Sequence, residues 1–292
     1  RDFGVGRWLG PSNGRAGGAA VVVVECGDYP TWCSVTTGGF VAGQALVWQL
    51  ADLTTGILTS NSFSFVVPGP LGLQPAMAPG AQTVAYEVAN DATCTAPASG
   101  SMAVFAISGT PDAKKVSHTC TSESELTATS TPPDASQQGT AAKLKAGDDR
   151  FLSAVWQTNA LWIASDTSCT PSGDTTARSC LNVMKLPATR TGSVTGATQL
   201  AAEGVNGASL FYPSLALDTS GNVIVTFDES SSTTFEALVV APIPAGNVWA
   251  GSLTVHHSAH FHHPPTCHEA PGRPTTGPGQ DPRQPRRECV LA

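Results

Sequence analysis

No stretch of this 292-residue chain keeps the 3.6-residue apolar period of an amphipathic helix. Short apolar runs recur instead: Ala45–Leu50, Phe63–Val67, Thr83–Val88, Met102–Ile107, Phe151–Trp156, Leu161–Ala164, Asn182–Leu186, Asn222–Phe227 and Ala237–Ala241. Turn residues stand between them, as in Asn90-Asp91, Ser108-Gly109, Ser172-Gly173-Asp174 and Ser220-Gly221-Asn222. Such a chain buries its apolar side chains only by pairing strands. The expected fold class is therefore all-β.

Composition narrows the partners. Hydrophobic residues make up 41%, which suffices for a core. Net charge is −7 and no basic stripe occurs, which argues against nucleic acid. The longest apolar run, Ala19–Val24, is far short of the roughly 20 residues of a membrane-spanning helix, so no membrane span is expected. Arg1 opens the chain without a leader, so a processed chain or a fragment is expected.

Six of the eight cysteines form local couples: Cys26 with Cys33, Cys94 with Cys120, and Cys169 with Cys180. Each couple spans a loop or hairpin, and none has the CxxC spacing of a metal site. Disulfides are expected, with the Cα atoms of Cys169 and Cys180 about 4.4 to 6.8 Å apart. An oxidising compartment follows, so the protein is expected to be secreted or on the cell surface.

A weak internal echo sets the architecture. Asp28-Tyr29-Pro30, Gln74-Pro75-Ala76, Asp149-Arg150-Phe151 and Tyr212-Pro213-Ser214 each precede a group of strands. A propeller blade takes about 40 to 50 residues before insertions. The spacing predicts a β-propeller of about four blades, each a short four-stranded sheet, in an incomplete ring. A pair of sandwiches is the alternative. Residues 1–19 are expected to belong to a missing or partial blade, residues 20–255 to the blades, and residues 256–292 to an irregular His/Pro-rich tail.

Several segments also carry a resemblance. Cys26-Gly27-Asp28-Tyr29-Pro30, Leu73-Gln74-Pro75-Ala76, Gly147-Asp148-Asp149-Arg150 with Leu161-Trp162, Tyr212-Pro213-Ser214 and Asp218-Thr219-Ser220-Gly221-Asn222 follow one another in order. In that order they resemble a family of secreted bacterial β-propeller proteins with sialidase-like or seven-bladed architecture. The resemblance covers roughly residues 20 to 255 and implies the fold and secretion; it implies no particular reaction. Two departures stand out. The family's earlier blades are missing before Gly27. Gly277-Pro278-Gly279-Gln280-Asp281-Pro282 resembles a closing turn, but His- and Pro-rich sequence precedes it, as a frame-shifted gene end would produce.

Candidate site residues are those expected at the mouth of a central channel: Asp28, Tyr29, Gln74, Asp148, Asp149, Arg150 and Tyr212. Adjacent Asp148 and Asp149 repel, so one pKa should rise unless Arg150 or a cation relieves it. They could bind Ca²⁺ or act as an acid/base pair; the favoured reading is that Arg150 pins the loop through a carboxylate. Asp218-Thr219-Ser220-Gly221 resembles the Asp box of sialidases with one residue too many, and reads better as a β-turn. His256, His257, His260, His262 and His263 have no catalytic zinc spacing and suit adventitious chelation. No cofactor is expected beyond that Ca²⁺ option.

The function expected is that of a recognition scaffold binding glycans or proteins. The alternative is a sialidase-like glycoside hydrolase using channel carboxylates. An open arc would also leave strand edges free near Val21–Val24 and Leu253–His257, so self-association is expected.

Overall fold

The computed structural model describes residues 73–79, 83–109, 116–124, 130–157, 159–196, 203–218, 220 and 222–243, with Ala45 and Val47; for other strands named below it describes the backbone only. Every regular element among the described residues is a strand. Among the described residues no helix is long and apolar enough to cross a membrane.

Sixteen of the strands fall into four antiparallel meanders of four. Meander I comprises β1 (Val5–Trp8), β2 (Ala19–Glu25), β3 (Ala42–Gln49) and β4 (Phe63–Pro68). Meander II comprises β5 (Leu73–Met77), β6 (Val84–Ala92), β7 (Pro97–Ser108) and β8 (Ser117–Ser124). Meander III comprises β9 (Phe151–Gln157), β10 (Ala160–Cys169), β11 (Arg178–Pro187) and β12 (Thr198–Glu203). Meander IV comprises β13 (Ala208–Leu217), β14 (Val223–Ser231), β15 (Thr234–Ile243) and β16 (Leu253–His257).

First strands meet first strands. Strand β5 pairs with β6 through Leu73, Gln74 and Pro75, then switches to β9, with Ala76 and Met77 lying parallel to Ala154 and Val155. The switch falls just after Pro75, which has no N–H to give to either ladder. The expected separate four-stranded sheets are thus corrected at this point: meanders II and III form one eight-stranded sheet. It folds at β5 and β9, so that two apolar faces meet.

The alternation along the strands decides what fills each fold. Val84, Tyr86, Val88, Met102 and Val104 of meander II pack on Ala154, Trp156, Leu161, Ile163, Met184 and Leu186 of meander III. The Tyr86 and Trp156 rings tilt against each other at 5.2 Å between centroids. Their polar ends are satisfied at the rim: Tyr86 donates its hydroxyl to the Thr189 carbonyl at 2.5 Å, and Trp156 donates Nε1–H to the Ala188 carbonyl at 2.7 Å. The opposite face of meander III, with Val155, Trp162, Ala164, Leu181 and Val183, packs on Leu215, Val225, Phe227, Val239 and Ala241 of meander IV. Ala45 and Val47 of meander I share a cluster with Leu73, Ala89, Phe105 and Ile107.

Disulfides join Cys94 to Cys120 and Cys169 to Cys180, with Cα separations of 5.7 and 5.8 Å. Both lie inside the expected range. A Cβ on Gly204 would stand 2.8 Å from each sulfur of the second bridge, so only glycine fits there. The Cys26–Cys33 couple lies outside the described residues.

Three expectations differ from what is found. The first four-stranded group begins at Val5, not at Asp28, because β1 folds back on Ala19–Val22. Val21–Val24 is no edge, since β2 pairs with β1 on one side and β3 on the other. In the tail, β17 (Thr266–Glu269) pairs with β18 (Arg287–Val290), Cys267 standing opposite Cys289 in register.

Glu87 is the anomaly of meander II. It sits fully buried on β6, across from Pro75 and Phe105, and among the described residues neither carboxylate oxygen has a hydrogen-bond partner. Burial pushes its pKa up to about 8, from an ordinary 4.5. The native state therefore holds this proton more tightly than the unfolded chain, and the stability it confers falls as pH rises from 4.5 to 8. Glu87→Met keeps the volume and removes the orphaned oxygens. Thermal melts should show the variant more stable than the parent by a margin that grows across that pH range, reaching about 3 °C or more at the alkaline end. A margin independent of pH would mean the carboxyl is already satisfied.

Candidate functional site

The connection into β9 and the bulge in β13 come together. Leu215 donates its N–H to Ser153 Oγ at 2.9 Å, tying β13 to β9. The β13–β14 register breaks between Phe211 and Ser214, which leaves Tyr212 and Pro213 as the bulge. Tyr212 has a φ of +56°, a left-handed conformation that a bulky side chain rarely adopts. Holding it costs roughly 1–3 kcal/mol, which something nearby must offset.

Asp166 supplies that hold. It lies on β10 facing meander IV and is 0% exposed. Its two carboxylate oxygens accept the Tyr212 N–H at 2.9 and 3.2 Å. Burial pushes its pKa up to about 8; Asp148 and Asp228 push the same way, while the Tyr212 N–H pulls it down. Gly147 completes the seat. Its φ is +75°, and a Cβ there would stand 3.0 Å from Tyr212 Cε1 and 3.6 Å from Asp166 Oδ2. Phe211 packs edge-on to the Tyr212 ring at 5.5 Å and is itself buried with Ala135 and Ala146. The Tyr212 side of this arrangement stays 43% exposed.

The loop Asp148-Asp149-Arg150 borders the same place. Arg150 donates Nε–H to both Asp148 oxygens at 2.8 Å, and its backbone N–H to Asp148 Oδ1 at 3.1 Å. Arg150 thus pins the loop through a carboxylate. Asp149 is raised above the ordinary carboxylate range, first by burial and then by the charges of Asp91 and Asp148. The Tyr212 hydroxyl is raised by burial and then by Asp166, Asp148, Asp228 and Asp134. The electrostatic surroundings of the tyrosine are consequently acidic.

Of the candidate residues, Asp148, Asp149, Arg150 and Tyr212 are brought together. Gln74 stands on β5, the neighbouring first strand, and donates its side-chain amide to the Pro75 carbonyl at 3.2 Å. Asp28, Tyr29, His260, His262 and His263 lie outside the described residues, and only the backbone of His256 and His257 is described, on β16. Among the described residues no group of three His, Cys, Asp or Glu could hold a metal ion. Asp218 accepts the N–H of Ser220 and of Asn222, each at 2.8 Å, the geometry of a turn between β13 and β14. Arg178 bonds Asp174, which also accepts the Gly207 N–H at 3.0 Å; the Asp174 carboxyl is held well below its ordinary range, chiefly by Arg178.

Asp166 was not among the candidates. Ser165 and Thr167 flank it after the apolar run Leu161–Ala164, so the local composition is that of a turn, while the residue lies within a buried strand. A buried strand tolerates that only where the carboxyl is protonated or hydrogen-bonded.

A scan of the chain against protein-family models finds no match, and a search of curated proteins finds no similar chain.

Two substitutions test the seat. Gly147→Ala should cost about 1–3 kcal/mol, because the backbone is left-handed and the new methyl meets the Tyr212 ring. Asp166→Asn keeps an acceptor for the Tyr212 N–H and removes the titration. The native pKa of about 8 against an ordinary 3.8 means the parent loses stability as pH rises through that window. The variant should therefore melt at the same temperature as the parent near pH 4, and higher by about 3 °C or more near pH 8. Parallel pH profiles of the two proteins would show that Asp166 titrates normally.

Proposed function

We propose that this chain is a β-propeller module, with meanders I to IV as four blades, and that it acts as a secreted or cell-surface scaffold recognising glycans. Blade succession supports the fold: each meander follows the chain, first strands neighbour first strands, and β5 and β9 run parallel. Around a propeller axis the innermost strands of successive blades adjoin in that way. Disulfides of short span support an oxidising compartment.

The observation that carries the ligand reading is Tyr212. Its backbone is fixed by a buried carboxylate, and its ring stays half-exposed at the entry of the first strands. A rigid aromatic face beside carboxylate acceptors suits a sugar, whose C–H face stacks while its hydroxyls donate. Asp149 is the neighbouring acceptor, Asp148 being held by Arg150. A protein ligand would use the same ring as an anchor, but so small an acidic seat favours the sugar.

A glycoside hydrolase needs two carboxyls about 5 to 10 Å apart reaching one bond. Asp166, the carboxyl protonated near neutral pH, is buried behind Tyr212, and Asp148 is engaged by Arg150. A sialidase also needs clustered arginines, whereas Arg150 and Arg178 each bind an Asp of their own loop. These engagements favour binding over hydrolysis.

Calorimetric titration with neutral oligosaccharides tests the reading. Binding is expected, with Tyr212→Ala weakening it by about 10-fold or more and Tyr212→Phe retaining it, since the ring face is kept. Binding untouched by Tyr212→Ala would refute the site. Release of reducing sugar during the titration would restore the hydrolase.

A further inference from the structure

We propose that Cys267 and Cys289, which stand opposite each other in the β17–β18 ribbon, form a disulfide that closes residues 268–288 into a covalent ring. This goes beyond the recognition reading and uses none of its residues.

The register carries the proposal. Strands β17 and β18 are antiparallel, with Thr266 opposite Val290, Cys267 opposite Cys289, His268 opposite Glu288 and Glu269 opposite Arg287. Residues directly opposite in an antiparallel pair have Cα atoms about 5.5 Å apart where the pair is hydrogen-bonded and about 4.5 Å apart where it is not. Both spacings lie within the roughly 4.4 to 6.8 Å that a disulfide spans. Opposite residues also share one face of the sheet. The backbone thus places the two cysteines where a bridge needs no shift of either strand.

The neighbouring pairs favour that register without reference to the cysteines. Glu269 and Arg287 carry opposite charges. A slip of one residue in one direction would set Glu269 against Glu288, and in the other would set His268 against Arg287. Like charges directly opposite each other are destabilising.

The ribbon also has reason to be cross-linked. Strands β17 and β18 form a sheet of their own, each strand four residues long. An isolated two-stranded ribbon is at best marginally stable in water. Closing the connection between its strands restricts the open chain and favours the paired state. Elsewhere Cys94–Cys120 and Cys169–Cys180 are bridged, and no described cysteine is free. The conditions that oxidise those pairs serve this one.

The oxidant is itself a disulfide, such as oxidised glutathione. The thiolate of one cysteine attacks it and displaces one thiolate; the other cysteine then attacks the mixed disulfide and displaces the second. One protein S–S bond forms and the oxidant's S–S bond breaks. Both S–H protons leave the cysteines, and two electrons reduce the oxidant to two thiols. Cleavage between residues 270 and 286 would then leave Glu288–Ala292 attached to the chain.

Peptide mapping of the whole chain, equilibrated with oxidised and reduced glutathione and alkylated without added reductant, reads the outcome. Trypsin cuts after Arg287 and so carries Cys289 away on Glu288–Ala292. In the parent this peptide should stay joined to the one that holds Cys267, and separate only on reduction. Cys267→Ser should release it free and alkylated, with Cys94, Cys120, Cys169 and Cys180 still bridged. Cys289→Ser should likewise leave Cys267 alkylated. Alkylation of both cysteines in the parent, or Cys289 joined to any thiol other than Cys267, would overturn the proposal. Neither result involves Tyr212, so failure here leaves the recognition reading standing.

Discussion

Meanders II and III have apolar side chains on both faces, and that requirement organises the molecule. A sheet with one apolar face needs one partner; a sheet with two must be stacked between two. Strand β6 shows the consequence: Tyr86 and Val88 face meander III, while Ala85 and Ala89 face the side of meander I. Strand β10 does the same with Ile163 on one side and Trp162 on the other. Successive meanders therefore lie face to face, and their first strands converge. Tyr86 and Trp156 fill the deepest part of one such space. Because each places its one polar atom on a carbonyl at the rim, both rings are buried without an unmade hydrogen bond.

The convergence of first strands also creates the acidic seat. Residues before β9, on β10 and in the bulge of β13 are far apart in sequence, yet Gly147, Asp166 and Tyr212 touch one another. Asp166 does not reach solvent; its oxygens, accepting the Tyr212 N–H, hold a backbone shape. The strain at Tyr212 is then part of what presents the ring. Arg150 confines Asp148 in a similar manner, by closing a loop of three residues on itself.

Much of the candidate site was readable from residue types. Tyr212-Pro213 and Asp148-Asp149-Arg150 interrupt apolar runs, and interruptions of that sort mark where a strand ends or bulges. Asp166 and Glu87 were overlooked because their strands are buried on both faces, so the polar-out alternation that flags a surface carboxylate does not exist there. The beginning of the first repeat is hidden in the sequence for a different reason. Val5–Trp8 is short and glycine-flanked, with no apolar run of its own, and becomes a strand only by pairing with Ala19–Val22. Pairing partners are non-local, and local propensity carries no record of them.

The sequence by itself determined that the chain forms strands, about how many meanders it holds, and which neighbouring cysteines could bond. These follow from short-range period, turn residues and loop span, all of which act within a few residues. Tertiary structure alone decided that Pro75 marks a change of partner from β6 to β9, that the second and third meanders share one sheet, and that Asp166 seats Tyr212. Each of those depends on which faces meet after the sheets stack, and a carboxylate's proton affinity or a tyrosine's backbone angle is set by neighbours that only stacking supplies.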